Sequence, residues 1–253
     1  MSDATKPMRL LIFIGAVNEE SQLEQTVRGL AAACSPAHVA SLMVSLAPMA
    51  TEGCIRTAEA LEDVSAPIPI EIYRQPVLDC PFSANALLDT RPDITHVMFL
   101  ASDYDVESAT VAGMIARAAQ DCDTVYKLSR NLRGGRFSAE YPFGMVASYR
   151  LFTLLLRIGF FSRITDPAFF CMVAPVRLFR AVRFREKSVI FGVEWAFTLL
   201  RARAPTAELP AVQLPRTEGA GSSTPLGRLR YVRLAARARF APLKDIWDEE
   251  MKG

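Results

Sequence analysis

The sequence predicts an α/β protein in which a largely parallel sheet is flanked by helices. Short apolar runs alternate with helical-period segments along residues 9–128, the order that builds parallel strands with crossover helices. The connections are short and rich in Pro, Gly, Ser and Asn. Apolar residues make up 51% of the 253 residues and charged residues 22%, enough to bury one sizeable core.

The elements follow in order. Residues 9–15 (RLLIFIG) read as a buried strand, and SQLEQTVRGLAAAC then repeats apolar positions at Leu23, Val27, Leu30 and Ala31 with a helical period. Ser21 or Asn18 is placed to cap that helix. Residues 39–46 form a second strand, a short helix runs near Ile55 to Leu61, and residues 68–73 form a third strand. Residues 82–89 form another short helix, and residues 96–101 a fourth strand. Ser108 caps a helix to about Ala119, and residues 123–128 make a fifth strand.

The second half is less regular. Residues 131–144 read as a loop with Gly134, Gly135 and Pro142. Residues 146–164 read as an apolar helix with Arg150, Arg157 and Arg163 near one face, fitting either a membrane interface or a core helix with a solvated edge. A turn, strand and helix follow from Thr165, then a helix with Glu194 near its start, and an edge strand bounded by prolines at 209–215. Residues 225–241 form a basic amphipathic helix, and the C-terminal WDEEMKG a surface tail. No apolar stretch looks long enough to span a bilayer. Residues 1–7 read as a loose leader without a signal-peptide pattern.

Charge divides the chain. Residues 1–125 carry 7 Lys/Arg against 17 Asp/Glu, residues 126–200 carry 12 against 4, and residues 201–253 carry 10 against 6. A basic back half suits a phosphorylated substrate, a membrane surface or nucleic acid, although its aromatics sit in apolar runs and form no stacking platform, which disfavours nucleic acid. The 5 cysteines form no C-x-x-C pair, which suggests a reducing, cytoplasmic compartment, and 2 histidines exclude a histidine-rich metal centre. A phosphate-binding G-x-x-x-x-G-K-[ST] loop, a glycine fingerprint after the first strand and a G-x-S-x-G elbow are all absent.

The most telling stretch is HVMFLASDYD, residues 96–105, where a buried strand ends in Asp103 and Asp105. Ligands of such sheets bind beyond the carboxyl ends of the strands, where Asn18 and Glu19 also fall. Paired carboxylates there suit Mg²⁺ or Mn²⁺ bridging diphosphate oxygens and neutralising charge on a departing nucleoside diphosphate.

These residues carry a resemblance. FIGAVNEE, FLASDYD, VYKLSRNLRGGR, ITDPAFFCM, FGVEWAFTLLRAR and AELPAVQLPRTEGAGSS follow the motif order of inverting family-two glycosyltransferases with the GT-A fold. Within that group the chain is most similar to the dolichyl- or polyprenyl-phosphate sugar synthases. The resemblance implies a GT-A-like domain over residues 8–224, with a nucleotide-binding half at 8–128, an acceptor half at 129–224, and a basic helix and tail at 225–253. It implies a nucleoside-diphosphate sugar donor contacted by Asn18, Glu19, Ser45, Asp103 and Arg216. A metal would sit on Asp103 and Asp105, and Arg130, Arg133 and Arg136 would grip phosphate. For a lipid-phosphate acceptor little base catalysis is needed; for a glycan hydroxyl, Glu194 or Asp166 would be the base. A lipid-linked acceptor would bring the protein to the inner face of the membrane.

The chain departs from the pattern at the second strand, where VSLAPMATEG lacks the usual aspartates before Glu52, and after the Ser222 loop, where a lysine is missing. A non-catalytic or atypical nucleotide-binding protein of this fold therefore stays open, as does a nucleotidyltransferase.

Overall fold

The computed structural model describes residues 7–102, 105–169, 171–215 and 225–250. Seven strands form one sheet: β1 (Leu10–Ala16), β2 (Val39–Leu46), β3 (Ile70–Arg74), β4 (His96–Ala101), β5 (Val125–Ser129), β6 (Met172–Pro175) and β7 (Thr206–Pro210), in the order β3-β2-β1-β4-β6-β5-β7. All neighbours pair in parallel except those of β6, which runs against both β4 and β5. This is the mostly parallel, GT-A-like sheet expected. Both halves of the chain build it, because β6 inserts between two strands of the first half.

The central strands are apolar on both faces because both are covered. Leu10, Ile12 and Ile14 of β1 point to a layer made by α1 (Glu20–Ala33), α2 (Glu52–Glu62) and α4 (Ser108–Ala118). Leu11 and Phe13 point the other way, toward α3 (Cys80–Asp89), α6 (Val176–Arg180) and α7 (Phe191–Arg201). On that side Phe99 stacks on Phe13 at 4.8 Å and meets Phe191 and Trp195 edge-on at 4.8 and 5.7 Å. Such pairs each add about 0.5–1.5 kcal/mol beyond their burial. Thr51 caps α2 by accepting from the Cys54 N–H, and Asp79 caps α3 by accepting from the Phe82 N–H.

A third apolar cluster joins α7 to α5 (Phe143–Phe160) and α8 (Pro225–Phe240), through Leu156, Val193, Phe197, Leu234 and Ala238. At 18 residues α5 is, by length and composition, able to cross a membrane, contrary to the sequence reading. The helix begins three residues earlier than expected, directly after Pro142, and ends at Phe160, so Arg163 lies beyond it.

The C-terminal segment also differs from the surface tail expected. Ile246 and Trp247 are buried in the cluster around Phe179 and Trp195. The backbone secures them: Arg183 N donates to Ile246 O at 3.0 Å and Asp248 N to Ala181 O at 2.7 Å. A tryptophan beside acidic residues reads as a tail in sequence, but its ring fills a gap that α6 and α7 leave.

The loop after β5 folds back onto its own strand. Gly134 has a φ of +93°, a conformation that favours glycine. A Cβ on Gly135 would stand 2.5 Å from the Ser129 carbonyl oxygen. Gly135→Ala should therefore cost about 1–3 kcal/mol in denaturant unfolding. Gly113, exposed inside α4 with open space at its Cβ position, should behave oppositely, Gly113→Ala stabilising by about 0.5–1 kcal/mol.

Candidate functional site

Strand register gathers the candidate residues on one edge. Gly15 of β1 lies level with Ser45 of β2 and Ala101 of β4. Residues 18–19, Ser45, Ser102 and Asp105 therefore line the carboxyl edge. Two successive antiparallel pairings bring β5 back to the orientation of β4, so Arg130 extends the same edge.

Glu19 ties the first two parts together. Its Oε2 accepts from the backbone N–H of Val17 and of Asn18, each at 3.1 Å, and from Ser102 Oγ at 3.0 Å. The carboxylate thus links the end of β1 to the end of β4, while Asn18 is exposed. Asp103 and Arg216 lie outside the described residues. Asp105 is half-buried, and its carbonyl accepts from Leu214 N at 2.9 Å. Next to it Val106 bridges Gln213, whose N–H donates to Arg136 O at 2.9 Å. Residues 211–214 consequently stitch Asp105 to the arginine loop. Arg133 and Arg136 are exposed there.

Arg130 is placed differently from the free phosphate grip expected. It is 7% exposed and Asp166 is 0% exposed. Its Nε donates to Asp166 Oδ2 at 2.8 Å, its Nη2 to Oδ1 at 3.1 Å, and its Nη1 to Gln213 Oε1 at 3.1 Å. The rings of Phe137, Tyr149 and Phe169 surround the guanidinium at 4.3–4.5 Å. All three nitrogens are engaged, so the group is a buried tie.

Asp166 is correspondingly unsuited to accept a proton. Burial alone would raise its pKa, but the charge and hydrogen bonds of Arg130, with Lys127 and Tyr149, outweigh burial and hold it below the usual carboxylate range. Around the pair, Lys127 Nζ donates to the Asp166 carbonyl and the Tyr149 hydroxyl to Oδ1. Burial lowers the Lys127 pKa despite Asp166 and Glu208 nearby. Glu208 of β7 accepts from the N–H of Thr165 and of Asp166 at 2.6 and 3.0 Å, fixing the turn that presents Asp166.

Glu194 is 2% exposed on the first turn of α7. It accepts from the N–H of Arg185 at 3.1 Å, from that of Glu186 at 2.8 Å, and from Arg237 of α8. This carboxylate holds a loop and a helix in place, and that explains its position at a helix start without a proton-transfer role. Ser45 accepts from Gln75 Nε2 at 2.9 Å; both are buried. Gln75 Oε1 is buried without a hydrogen-bond partner, with the Cys80 thiol beside the amide.

Gln213, Glu208, Tyr149, Lys127 and Gln75 escaped the sequence reading. Only Lys127 and Glu208 carried a signal, each a charged residue inside a strand pattern. The others are polar residues whose roles arise from contacts far along the chain.

Removing one member of the pair leaves the other charge buried and uncompensated, so Asp166→Asn or Arg130→Met should cost about 3–5 kcal/mol. The double substitution should cost less than the sum of the two. Folded Asp166 binds its proton more weakly than the unfolded chain does. Its stabilisation is complete above the ordinary value of 3.8 and fades as pH falls through the lowered folded value. Thermal melts of Asp166→Asn should show a shallower acid limb than those of the parent protein.

No protein-family model and no curated protein matches the chain. Solved structures do. Glucosyl-3-phosphoglycerate synthase from Mycobacterium tuberculosis, in complex with UDP, aligns over 94% of this chain and 82% of its own with a TM-score of 0.64 at 14% identity. The same enzyme with Mn²⁺, UDP-glucose and phosphoglyceric acid aligns over 94% and 81%, again with a TM-score of 0.64 at 14% identity. A mycobacterial protein aligns over 94% and 76%, at 0.64 and 15% identity. At such identities the likeness is one of fold: this chain shares the α/β architecture of that synthase.

Proposed function

We propose that the protein is a metal-dependent sugar transferase that moves a sugar from a nucleoside-diphosphate sugar to a phosphorylated acceptor. The observation that carries this reading is the stitching of Asp105 to the Arg133–Arg136 loop through residues 211–214, at the carboxyl edge beside Glu19. A metal carboxylate and exposed phosphate-binding cations are thereby held on one rigid frame.

Among the described residues no three histidine, cysteine or carboxylate side chains gather into a metal cluster. Mg²⁺ or Mn²⁺ at a diphosphate is held through one or two carboxylates and the substrate's own phosphate oxygens. Asp105, with Asp103, would hold it, and the ion would neutralise charge on the departing diphosphate. At the end of β2, where aspartates are missing, the Ser45–Gln75 pair offers a substitute. Ser45 and Gln75, paired at 2.9 Å, are the polar side chains nearest the position where a base would sit.

The acceptor follows from the state of the carboxylates. Asp166 and Glu194, the two bases that the sequence nominates, are both locked in buried hydrogen bonds. An acceptor whose attacking oxygen belongs to a phosphate arrives ionised and needs neither. Arg133 and Arg136 would clamp it. Solved structures of similar fold hold UDP-glucose with phosphoglyceric acid or glycerol 3-phosphate, which supports an acceptor that carries a phosphate for such a clamp, whichever of its oxygens attacks. A lipid-linked phosphate offers an anionic attacking oxygen and a glycan hydroxyl does not.

UDP and UDP-sugars should raise the thermal midpoint only when Mn²⁺ or Mg²⁺ is present, and Asp105→Asn should abolish that rise. Gln75→Ala should weaken it without removing the metal requirement. With a phosphorylated acceptor, Asp105→Asn should lower turnover about 100-fold or more. Arg136→Ala should raise the acceptor KM about ten-fold. The absence of any nucleotide response in the parent protein would overturn the reading.

A further inference from the structure

We infer that the outer faces of α5 and α8 form a docking surface for an anionic membrane. The helix α5 has two apolar faces. Tyr149, Phe152, Thr153, Leu156 and Phe160 turn inward against α7 and α8. Leu151, Leu154, Leu155 and Ile158, spaced as one helical face, turn outward, with Leu155 59% and Ile158 62% exposed. Phe143 and Phe161, at the two ends, are 87% and 82% exposed. A soluble helix normally spends its second face on polar residues. On α8 Leu229 and Val232 are exposed as well, and Arg239 Nε donates to Gly159 O at 2.6 Å, pinning the two helices where the exposed Phe240 follows.

Charge selects the occupant. Residues 141–165 contain Arg150, Arg157 and Arg163 and no acidic residue, and residues 225–243 contain five arginines and none. Arg150, Arg157, Arg163 and Arg233 are exposed. An apolar ridge flanked by the exposed Arg150, Arg157, Arg163 and Arg233 matches anionic headgroups above acyl chains. A second copy of the chain is a poorer fit, because two-fold pairing of this face would set like-charged rows against each other. Spanning is also a poor fit, since the inner face of α5 belongs to the protein core. The helix therefore lies along the surface.

The surface is joined to the candidate site. Tyr149, on the inward face of α5, donates to Asp166, the partner of Arg130 at the sheet edge. A docked protein would hold that edge next to the headgroup layer, where a lipid-linked phosphate presents itself. This last step rests on the proposed function; the docking itself does not.

The test uses the full-length protein without donor or metal. It should float with vesicles of phosphatidylcholine and phosphatidylglycerol, not with phosphatidylcholine alone, and salt should release it. Leu155→Glu with Ile158→Glu should abolish flotation while leaving circular dichroism and melting unchanged. Arg150→Gln and Arg157→Gln should each weaken it about five-fold. Should the acidic variant not fold, Ile158→Trp supplies a second readout, a blue shift of emission on anionic vesicles only. Failure of the parent protein to float, flotation that survives the double substitution, or an unshifted emission from the Ile158→Trp protein would overturn the proposal. So would a dimer that the same substitutions dissociate without any vesicle binding, which would give the face to a second copy. Because nucleotide binding is read separately, loss of docking and loss of the transferase reading are distinguishable.

Discussion

The ion pair between Arg130 and Asp166 is the constraint on which the second half of the structure depends. It closes a contact between residues 36 apart in sequence and recruits Gln213 from 83 residues beyond Arg130. Buried pairs gain little net stability over apolar residues, yet breaking one is costly. Such a pair therefore acts as a positional lock. Here it sets the exit of β5, the turn at Thr165–Asp166, the strand carrying Glu208 and, through Tyr149, the inclination of α5. The aromatic box excludes the water that would otherwise loosen it, and Lys127 with Glu208 completes a set of two cations and two anions.

The lock also explains how the metal carboxylate reaches the arginine loop. Residues 211–214 could wander as a proline-bounded edge segment. Gln213 is instead held from inside by Arg130 and Tyr141, and its backbone is then free to bond outward. On one side it meets Val106, and on the other the carbonyl of Arg136. The proposed donor end and acceptor end thus share a single polypeptide brace, itself fixed by a buried charge pair.

Much of the frame was legible because local patterns sufficed. The runs ending at Gly15, Leu46 and Ala101 announced parallel strands, and the parallel order then placed Glu19, Ser45 and Asp105 on one edge without long-range information. The roles of individual charges were not legible. Arg130 and Arg133 lie three residues apart in the same glycine-bearing loop, yet one is a buried tie and the other is exposed. Nothing local separates them; the distinction comes from Asp166 and three aromatic rings. Glu194 misled for a related reason. A carboxylate at a helix start fits either a base or an anchor, and the anchor is evident only once Arg237 and the loop at 185–186 are seen beside it. Trp247 was misread because a gap in the core is invisible from the segment that fills it.

The division of charge along the chain takes on a different meaning once partners are known. Several arginines of the basic half neutralise acids: Arg177 with Asp123 and Arg180 with Asp89 reach into the acidic half, while Arg230 with Glu186 and Arg237 with Glu194 secure α8. The pairs of Arg177 and Arg180 are largely exposed and stabilise only slightly, about 0–1 kcal/mol each, whereas Arg230 and Arg237 meet the buried Glu186 and Glu194; all four arginines already have acidic partners. Among the described residues, none of the ion pairs uses Arg133, Arg136, Arg150, Arg157 or Arg163. These five fall in two places, the loop beside Asp105 and α5 with the segment just beyond its end. A polyanion-binding protein would spread its cations along a groove. Two separate groups, one at a sheet edge and one beside an exposed apolar ridge, suit two ligands of different kinds: a compact phosphate and an extended anionic surface.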